Sequence, residues 1–515
     1  MKKLMLILVC LIMVLNCSVG LATGSGAITD DVRSCGDYSY RVLEDGTAEI
    51  VRWSGTDAEL TIAAELDGYK VSGIGKYAFR GCSNLISVRV PYGIIEIGNG
   101  AFMLCGQLKS VALPESLEII GPNAFFECNL VMISIPDSVF EIKEGAFACN
   151  SELREIIVSP DHQVLEIVDG ALVDKTEQIL ICLPMALKKD HFTVPEGIKR
   201  IGYLAFGKCS QLVSVDIPDT VEEIGNMAFQ FCSSLSSITI PDSVLSVDSS
   251  VFLYCNKLTE VIVSPNHPTL STVDGVLLDK KGETLLFCPM GYDRKNYSIP
   301  ESVSCIAHSA FSYCEKIESI VIPEGLTTIS GSFNYCSNLV SVTIPDSLVN
   351  VEDNPFLRCN RLTNIKISPD HPRLRIVDDV LIDKDNKQLI CCLSGFSSKN
   401  YSIPHGITQI GIHAFIYNDQ LEEISLPDTV KIIGAQAFAF CHSLRSVSIP
   451  YGVTSIEGNA FEYCDNLAKV TIPASVETIG IGAFSSCPCL TLTVTPGSVG
   501  ETYAISENIP YVYAN

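Results

Sequence analysis

Cysteine is the residue type whose spacing in this sequence could most directly support chemistry. Thirteen cysteines recur at one position of a repeated pattern, a position that Asn418 takes once. They are Cys82, Cys105, Cys128, Cys149, Cys209, Cys232, Cys255, Cys314, Cys336, Cys359, Cys441, Cys464 and Cys487. Zinc-binding thiolates come in Cys-x-x-Cys pairs, which this series lacks. Side chains stacked in neighbouring coils point in parallel, which disfavours the torsion of about 90° that a disulfide needs. We therefore predict a core ladder of small buried thiols.

Three histidines occupy equivalent turns. His162, His267 and His371 each end a Ser-Pro-Asp-His or Ser-Pro-Asn-His segment. At least three coils separate them, which places them about 15 Å or more apart at the spacing of paired strands. Metal–nitrogen bonds are about 2 Å long, so one shared metal site is excluded. Ser-Pro-Asp is common turn chemistry, and we expect polar turns here.

An aromatic column is a possible ligand-binding feature. The residue before the repeated cysteine is aromatic in the later repeats, whereas Arg358 and several smaller residues take this place elsewhere. The aromatic members are Phe231, Tyr254, Tyr313, Tyr335, Tyr417, Phe440 and Tyr463. They could pack as a structural ladder or form an exposed stripe for glycan or protein contact. Polar strand positions form a second possible surface: Ser214, Asp216, Ser237, Thr239, Ser319, Ser341, Thr343, Glu422, Glu423, Ser446, Ser448, Lys469 and Thr471.

Motifs of known enzyme classes are missing from the sequence. It contains no His-Glu-x-x-His, no Gly-x-Ser-x-Gly, no phosphate loop and no dinucleotide fingerprint. We therefore predict no catalytic residues, no cofactor and no metal. Acidic residues are abundant, so a carboxylate pair that cleaves polysaccharide stays open as an alternative.

A repeat of 22 or 23 residues must position these side chains. One unit runs from Pro218 through Val221, Ile224-Gly225, Ala228-Phe229, Cys232 and Leu235 to Ile238-x-Ile240. Apolar residues two apart predict a strand, and the following proline ends it. Ala-Phe-x-x-Cys has the spacing of one helical turn. Each unit is thus predicted to be one coil, and stacking buries its apolar face against its neighbours.

This unit resembles the BspA-type leucine-rich repeat of bacterial surface proteins. The pattern Ile-Pro-x-x-Val-x-x-Ile-Gly-x-x-Ala-Phe-x-x-Cys-x-x-Leu recurs in about fourteen units over residues 68–496. The resemblance implies a solenoid of stacked coils. It also implies a secreted or surface-displayed protein that takes part in adhesion to host proteins or other cells.

The repeat pattern also divides the chain. Three long units carry predicted β-hairpin insertions at about 159–194, 264–299 and 368–403. Residues 23–67 are predicted to form a linker and a β-hairpin cap, and residues 497–515 a C-terminal cap with a helix and a strand. Residues 1–22, with Lys2 and Lys3 before an apolar run, are typical of a signal peptide.

Composition limits the partners. The chain is 47% hydrophobic and 18% charged, with a net charge of -24. So apolar a composition excludes disorder, and 35 basic against 59 acidic residues disfavour nucleic acid. No later apolar run is long enough to span a bilayer. We expect a secreted or cell-surface monomer that binds an extracellular protein, matrix or glycan. The alternatives are a carbohydrate-active enzyme on a solenoid scaffold and a purely structural surface component.

Overall fold

The computed structural model of the protein describes residues 32–514. These residues form a solenoid of stacked coils. The predicted signal peptide, residues 1–22, lies outside the described residues. A typical coil has a front strand, a back strand and a turn segment that leads to the next front strand, although the coil after Pro241 has no back strand. This confirms the predicted fold class, a repeat solenoid built from coils of 22–23 residues.

Most front strands end one to three residues before the repeated proline. Where neighbouring front strands are hydrogen-bonded they pair in parallel, so that Ile424 lies beside Val447 and Val447 beside Val470, and these strands form several separate sheets along the chain. Their central side chains point into the core and their flanking side chains point outward. The front strands are Glu59–Thr61, Ser87–Arg89, Ser110–Ala112, Met132–Ser134, Glu155–Ile157, His191–Thr193, Ser214–Asp216, Ser237–Ile240, Glu260–Val263, Asn296–Ser298, Ser319–Val321, Ser341–Thr343, Asn364–Lys366, Asn400–Ser402, Glu423–Ser425, Ser446–Ser448, Lys469–Ile472, Thr491–Val494 and Tyr511–Tyr513.

The back strands are shorter and end next to the Ile-Gly pair. Glycine is required there because neighbouring backbones approach closely: a Cβ on Gly225 would lie 2.9 Å from the carbonyl oxygen of Ile201. The back strands are Tyr69–Ile74, Glu96–Ile97, Ile119–Ile120, Glu141–Ile142, Arg200–Ile201, Glu223–Ile224, Cys305–Ile306, Thr328–Ser330, Asn350–Glu352, Gln409–Ile410, Ile432–Ile433, Ser455–Ile456 and Thr478–Ile479.

The Ala-Phe-x-x-Cys segment is not helical, so the predicted helical turn is wrong. In each coil it forms tight turns, such as Cys209 N–H to the carbonyl of Phe206. Other backbone N–H groups of this segment donate to carbonyl groups of the next coil, as the Phe206 N–H does to the Ala228 carbonyl at 2.9 Å. The residue before the cysteine has a left-handed backbone (φ 62° at Lys208), which stops helix propagation. The only helices among residues 32–514 are the 3₁₀ turn Met185–Leu187 and the α-helix Val499–Ser506.

The three insertions contain more than the expected hairpins. Each forms three antiparallel strands, and the last of them pairs in parallel with the following back strand. Their strands are Leu165–Val168, Ala171–Asp174 and Ile179–Cys182; Leu270–Val273, Val276–Asp279 and Thr284–Phe287; and Leu374–Val377, Val380–Asp383 and Gln388–Cys392. The third strand of each set thus takes the place of a back strand in the coil stack.

The middle insertion strands are buried on both faces. Leu277 packs in the core segment that precedes the second insertion, whereas its neighbour Leu278 packs in the segment that follows. Leu172 and Val173, and Leu381 and Ile382, divide in the same way. The insertions therefore separate the core into four consecutive segments.

Phenylalanine rings stack along the core from coil to coil. Phe79 and Phe102 lie 4.8 Å apart between ring centroids, and Phe461 and Phe484 lie 5.1 Å apart. Trp53 packs against the first of these rings and Tyr503 against the last. At the N-terminal end the antiparallel strands Arg33–Cys35, Tyr38–Val42 and Ala48–Trp53, with the short strand Glu65–Leu66, cover the stack. At the C-terminal end the helix Val499–Ser506 does so.

Candidate functional site

The ladder cysteines line the core next to the phenylalanine stack. Most of their thiols donate to the carbonyl of the phenylalanine in the preceding coil, at 3.1 Å for Cys232 to Phe206 and for Cys441 to Phe415. After an insertion the acceptor changes, to the carbonyl of Leu183 for Cys209 and to that of Cys288 for Cys314. Burial raises the pKa of the Cys255 and Cys441 thiols to about 12. These groups are therefore protonated at neutral pH, and as thiols they are poor nucleophiles and poor metal ligands.

Cys149 does not belong to the ladder, although the sequence pattern placed it there. In its repeat, Asn150 occupies the ladder position and its Nδ2 donates to the carbonyl of Phe125 at 2.8 Å. Cys149 lies one residue earlier with a left-handed backbone (φ 62°) and packs beside Met103, Phe126 and Met227. Cys149 follows Phe147 by two residues, whereas the ladder cysteines follow their phenylalanine by three, and this spacing was the available signal in the sequence.

The three histidines are buried and serve their own turns. The Nδ1 of His371 accepts from the backbone N–H groups of Arg373 and Leu374, at 3.2 and 2.9 Å. Its Nε2 lies 3.1 Å from the carbonyl of Pro345 in the preceding coil, so the proton is on Nε2. His267 makes the equivalent contacts. These rings are therefore structural groups that fix the entrance to each insertion.

Among residues 32–514, no group of three or more His, Cys, Asp and Glu side chains is arranged to hold a metal ion.

The aromatic column forms two stacks of rings, one that continues across the second insertion and one that follows the third. Consecutive rings stack at 4.4 Å between Phe231 and Tyr254 and at 4.5 Å between Tyr313 and Tyr335. Across the second insertion, Tyr254 and Tyr313 meet at 4.8 Å and their hydroxyl groups are hydrogen-bonded at 2.8 Å. After the third insertion the stack runs through Tyr417, Phe440 and Tyr463 at 4.7 and 4.9 Å.

Cations extend the column where aromatic residues are missing. The Arg358 guanidinium lies 3.1 Å from the ring centroid of Tyr417, and Lys208 lies 5.9 Å from that of Phe231. The sequence did not indicate a role for Arg358, because this residue interrupts a series of aromatic residues. Its position in the repeat was the available signal.

Most ring faces in the column are covered by a neighbour. Within each stack, successive rings lie face to face except Tyr254 and Tyr313, which are tilted by 56°, and all members are half-buried except Tyr463, which is 39% exposed. All have left-handed backbones, with φ from 55° at Tyr463 to 64° at Tyr313. Sugar stacking needs a free ring face, so this arrangement favours a packing role over a glycan platform.

The front sheet offers the broadest regular surface. After the third insertion it has six hydrogen-bonded strands, from Asn400–Ser402 to Tyr511–Tyr513. Its outward side chains in four of these strands, here called the front face, are Asn400, Ser402, Glu423, Ser425, Ser446, Ser448, Lys469 and Thr471. Glu422, which the sequence placed on this surface, instead precedes its strand and pairs with Lys399.

Stacked parallel coils of this length, with one core layer each, define a leucine-rich-repeat solenoid. A family model described as "BspA type Leucine rich repeat region" matches residues 72–176, 185–273, 290–376 and 391–507, in six copies. The chain belongs to this family, as its repeat pattern indicated.

Several solved structures are similar to the chain. A leucine-rich cell surface protein from Faecalibacterium prausnitzii is 24% identical, over 93% of this chain and 98% of that chain, with a TM-score of 0.34. A leucine-rich repeat protein from Bacteroides ovatus is 20% identical over 94% and 100%, with a TM-score of 0.25. The pneumococcal vaccine antigen PcpA is 16% identical over 94% and 99%, with a TM-score of 0.26. No curated protein matches the chain.

No helix in the described part of the chain is long and apolar enough to cross a membrane.

Proposed function

We propose that this protein is exported and recognises an extracellular protein, matrix component or glycan through its front face. The front face carries the proposal because it repeats small hydrogen-bonding side chains at the strand spacing over several coils. Extended solenoid surfaces of this kind suit large partners with repeated groups. The apolar run before residue 22 supports export.

The front face has few charged side chains, which supports recognition of a ligand by hydrogen bonds. Glu423 and Lys469 are its only charged members, while serine, threonine and asparagine make up the rest. Hydroxyl and amide groups both donate and accept, so they can match the hydroxyl groups of sugars and the backbone of extended peptides. The acidic remainder of the surface, with a net charge of -24 for the chain, disfavours polyanions as long-range partners.

A binding screen on residues 23–515 tests the proposal. Matrix proteins and glycans are immobilised, and release of reducing sugar is measured in parallel. We expect saturable binding without turnover. Turnover that co-purifies with the protein would establish the carbohydrate-active enzyme instead. Absence of any binding would leave the structural surface component as the function.

Matched variants locate the surface. Ser425→Arg and Ser448→Arg place bulky cations on neighbouring exposed positions of the front face. Thr478→Arg makes the same change on the back sheet, where Thr478 is exposed. We expect the front variants to weaken binding tenfold or more and the back variant to leave it unchanged. Equal losses from both changes would contradict the assignment to the front face.

A further inference from the structure

Three departures from the repeat pattern meet at the third insertion. Pro355 stands where alanine is usual, Arg358 where aromatic residues stand in the neighbouring coils, and Asn418 where cysteine is usual. Pro355 and Asn418 are 63 positions apart in the sequence, yet the insertion brings their coils together. A cavity of about 290 Å³ lies between the two coils and is lined by Arg358, Ser394, Tyr417 and Asn418, among others.

The second insertion shows how the same junction can be filled. There Met290, ten residues before its proline, is buried, and its sulfur accepts from the Tyr254 N–H at 3.0 Å. Tyr254 and Tyr313 also close the junction with their hydroxyl bond. In the third insertion Ser394 stands ten residues before Pro404, and its short side chain turns to the carbonyl of Leu362 at 2.7 Å. The smaller residue and the arginine together leave the space open.

Arg358 carries a charge that this part of the protein does not neutralise. Its Nε is buried and has no hydrogen-bond partner among residues 32–514, and no carboxylate of that range pairs with it. Other half-buried arginines differ: Arg373 pairs with Asp383 at 2.9 Å, and Arg200 pairs with Glu144. An unpaired, partly desolvated guanidinium is costly, and a planar anion that accepts two of its N–H groups would offset that cost.

The remaining lining indicates more than a bare anion site. Asn360 and Gln420 lie exposed at the rim, and their amides both donate and accept. Asp419 is also at the rim, but it is exposed and solvent screens its charge. Ligand sites usually occupy about 300–1,000 Å³, so this cavity suits one small ring rather than a chain. We propose that it binds the carboxylate of an acidic monosaccharide unit, with Arg358 as the anion-binding residue and the amides facing the hydroxyl groups.

This inference goes beyond the proposed function and rests on it only for the extracellular setting. The cavity is lined by residues other than those of the front face. Loss of one activity is therefore distinguishable from loss of the other by using the two sets of variants side by side.

Calorimetric titration of the purified protein tests the site. The probes are sodium D-glucuronate, sodium D-galacturonate and N-acetylneuraminate, with D-glucose and D-galactose as uncharged controls and N-acetylglutamate as a carboxylate without a sugar ring. We expect at least one acidic sugar to bind at least tenfold more tightly than its uncharged counterpart. Failure of all three acidic sugars to bind would overturn the proposal, and equal binding of N-acetylglutamate would overturn the sugar assignment.

Two variants use replacements that the chain itself employs. Arg358→Tyr restores the common column residue, and Ser394→Met places the filling residue of the second insertion. Both should abolish acidic-sugar binding, while thermal unfolding checks that each variant remains folded. Arg361→Gln removes a nearby exposed charge outside the cavity and should leave affinity within twofold. Binding that survives both cavity variants, or that falls equally with Arg361→Gln, would contradict the assignment.

Discussion

A hydrogen bond explains why cysteine and asparagine exchange at the ladder position. The carbonyl of Phe415 accepts from the Asn418 N–H in its own turn and also from the Cys441 thiol of the next coil. Asn150 makes the same contact with an amide. The position therefore requires a small donor rather than thiol chemistry, and the ladder works as a second set of bonds between coils.

Alkaline pH should destabilise the protein through these thiols. Burial raises the pKa of Cys255, Cys391 and Cys441 from an ordinary value of 9.0 to about 12. The unfolded chain therefore loses these protons first, so stability is full below pH 9 and falls as the pH rises toward 12. At pH 10 each such thiol should remove about 1.4 kcal/mol from the free energy of unfolding. Urea unfolding at pH 8 and pH 10 measures the loss.

The Cys441→Asn variant is the control for this pH dependence. Asparagine keeps the donor, as Asn150 does, but removes one titrating group. The variant should lose less stability between pH 8 and pH 10 than the unmodified protein, by about one thiol's contribution. Identical unfolding midpoints at the two pH values in the unmodified protein would show that the thiols ionise freely in the folded state.

At the scale of elements, the back strands depend on their glycines. A Cβ at Gly225 would meet the Ile201 carbonyl oxygen and the Tyr203 nitrogen, both at 2.9 Å. Gly225→Ala should therefore cost about 1–3 kcal/mol through overpacking. Gly106→Ala is the matched change, because a Cβ there meets nothing within 4 Å. Urea unfolding followed by circular dichroism compares them, and equal stability of the two variants would refute the close-approach argument.

The front and back strands could be predicted because their signals are local. Proline and apolar residues two apart mark the front strand, and Val-x-x-Ile-Gly marks the back strand. The turn segment was mispredicted as helical, because the spacing Ala-Phe-x-x-Cys fits two successive tight turns as well as one helical turn. The bonds that decide between them, such as Phe206 to Ala228, join different coils. The sequence of a single repeat therefore cannot distinguish the tight turns from a helical turn.

The cavity at the third insertion was beyond sequence reasoning for a related reason. Arg358 and Asn418 each appear as an isolated exception to the repeat, and only the stacking of coils across the insertion brings both to one cavity. The first strand of each insertion was also missed. Asp274-Gly275, a common hairpin turn after Leu270–Val273, was the signal that could have revealed it.

At the scale of the whole molecule, the caps cover the two ends of the core, and we expect them to prevent end-to-end association. Tyr503 is 8% exposed, packs on Phe484 and accepts a hydrogen bond from its N–H at 3.2 Å. Tyr503→Ser should lower stability by about 3 kcal/mol and promote self-association, because the last core layer is then uncovered. Sedimentation velocity and thermal unfolding measure both effects. Ile505→Ser, at a side chain 61% exposed on the same helix, should change neither.

The two-faced insertion strands have a mechanical consequence. Because Leu277 and Leu278 belong to different core segments, a segment can lose its packing while the strand between remains held by the next one. Tension applied to the ends would then release the chain in separate steps rather than by continuous peeling. One period between insertions, from Pro160 to Pro265, would yield about 370 Å of extended chain. Such a protein would act as a series of extensible links between two anchored surfaces, and each link could refold when the load falls.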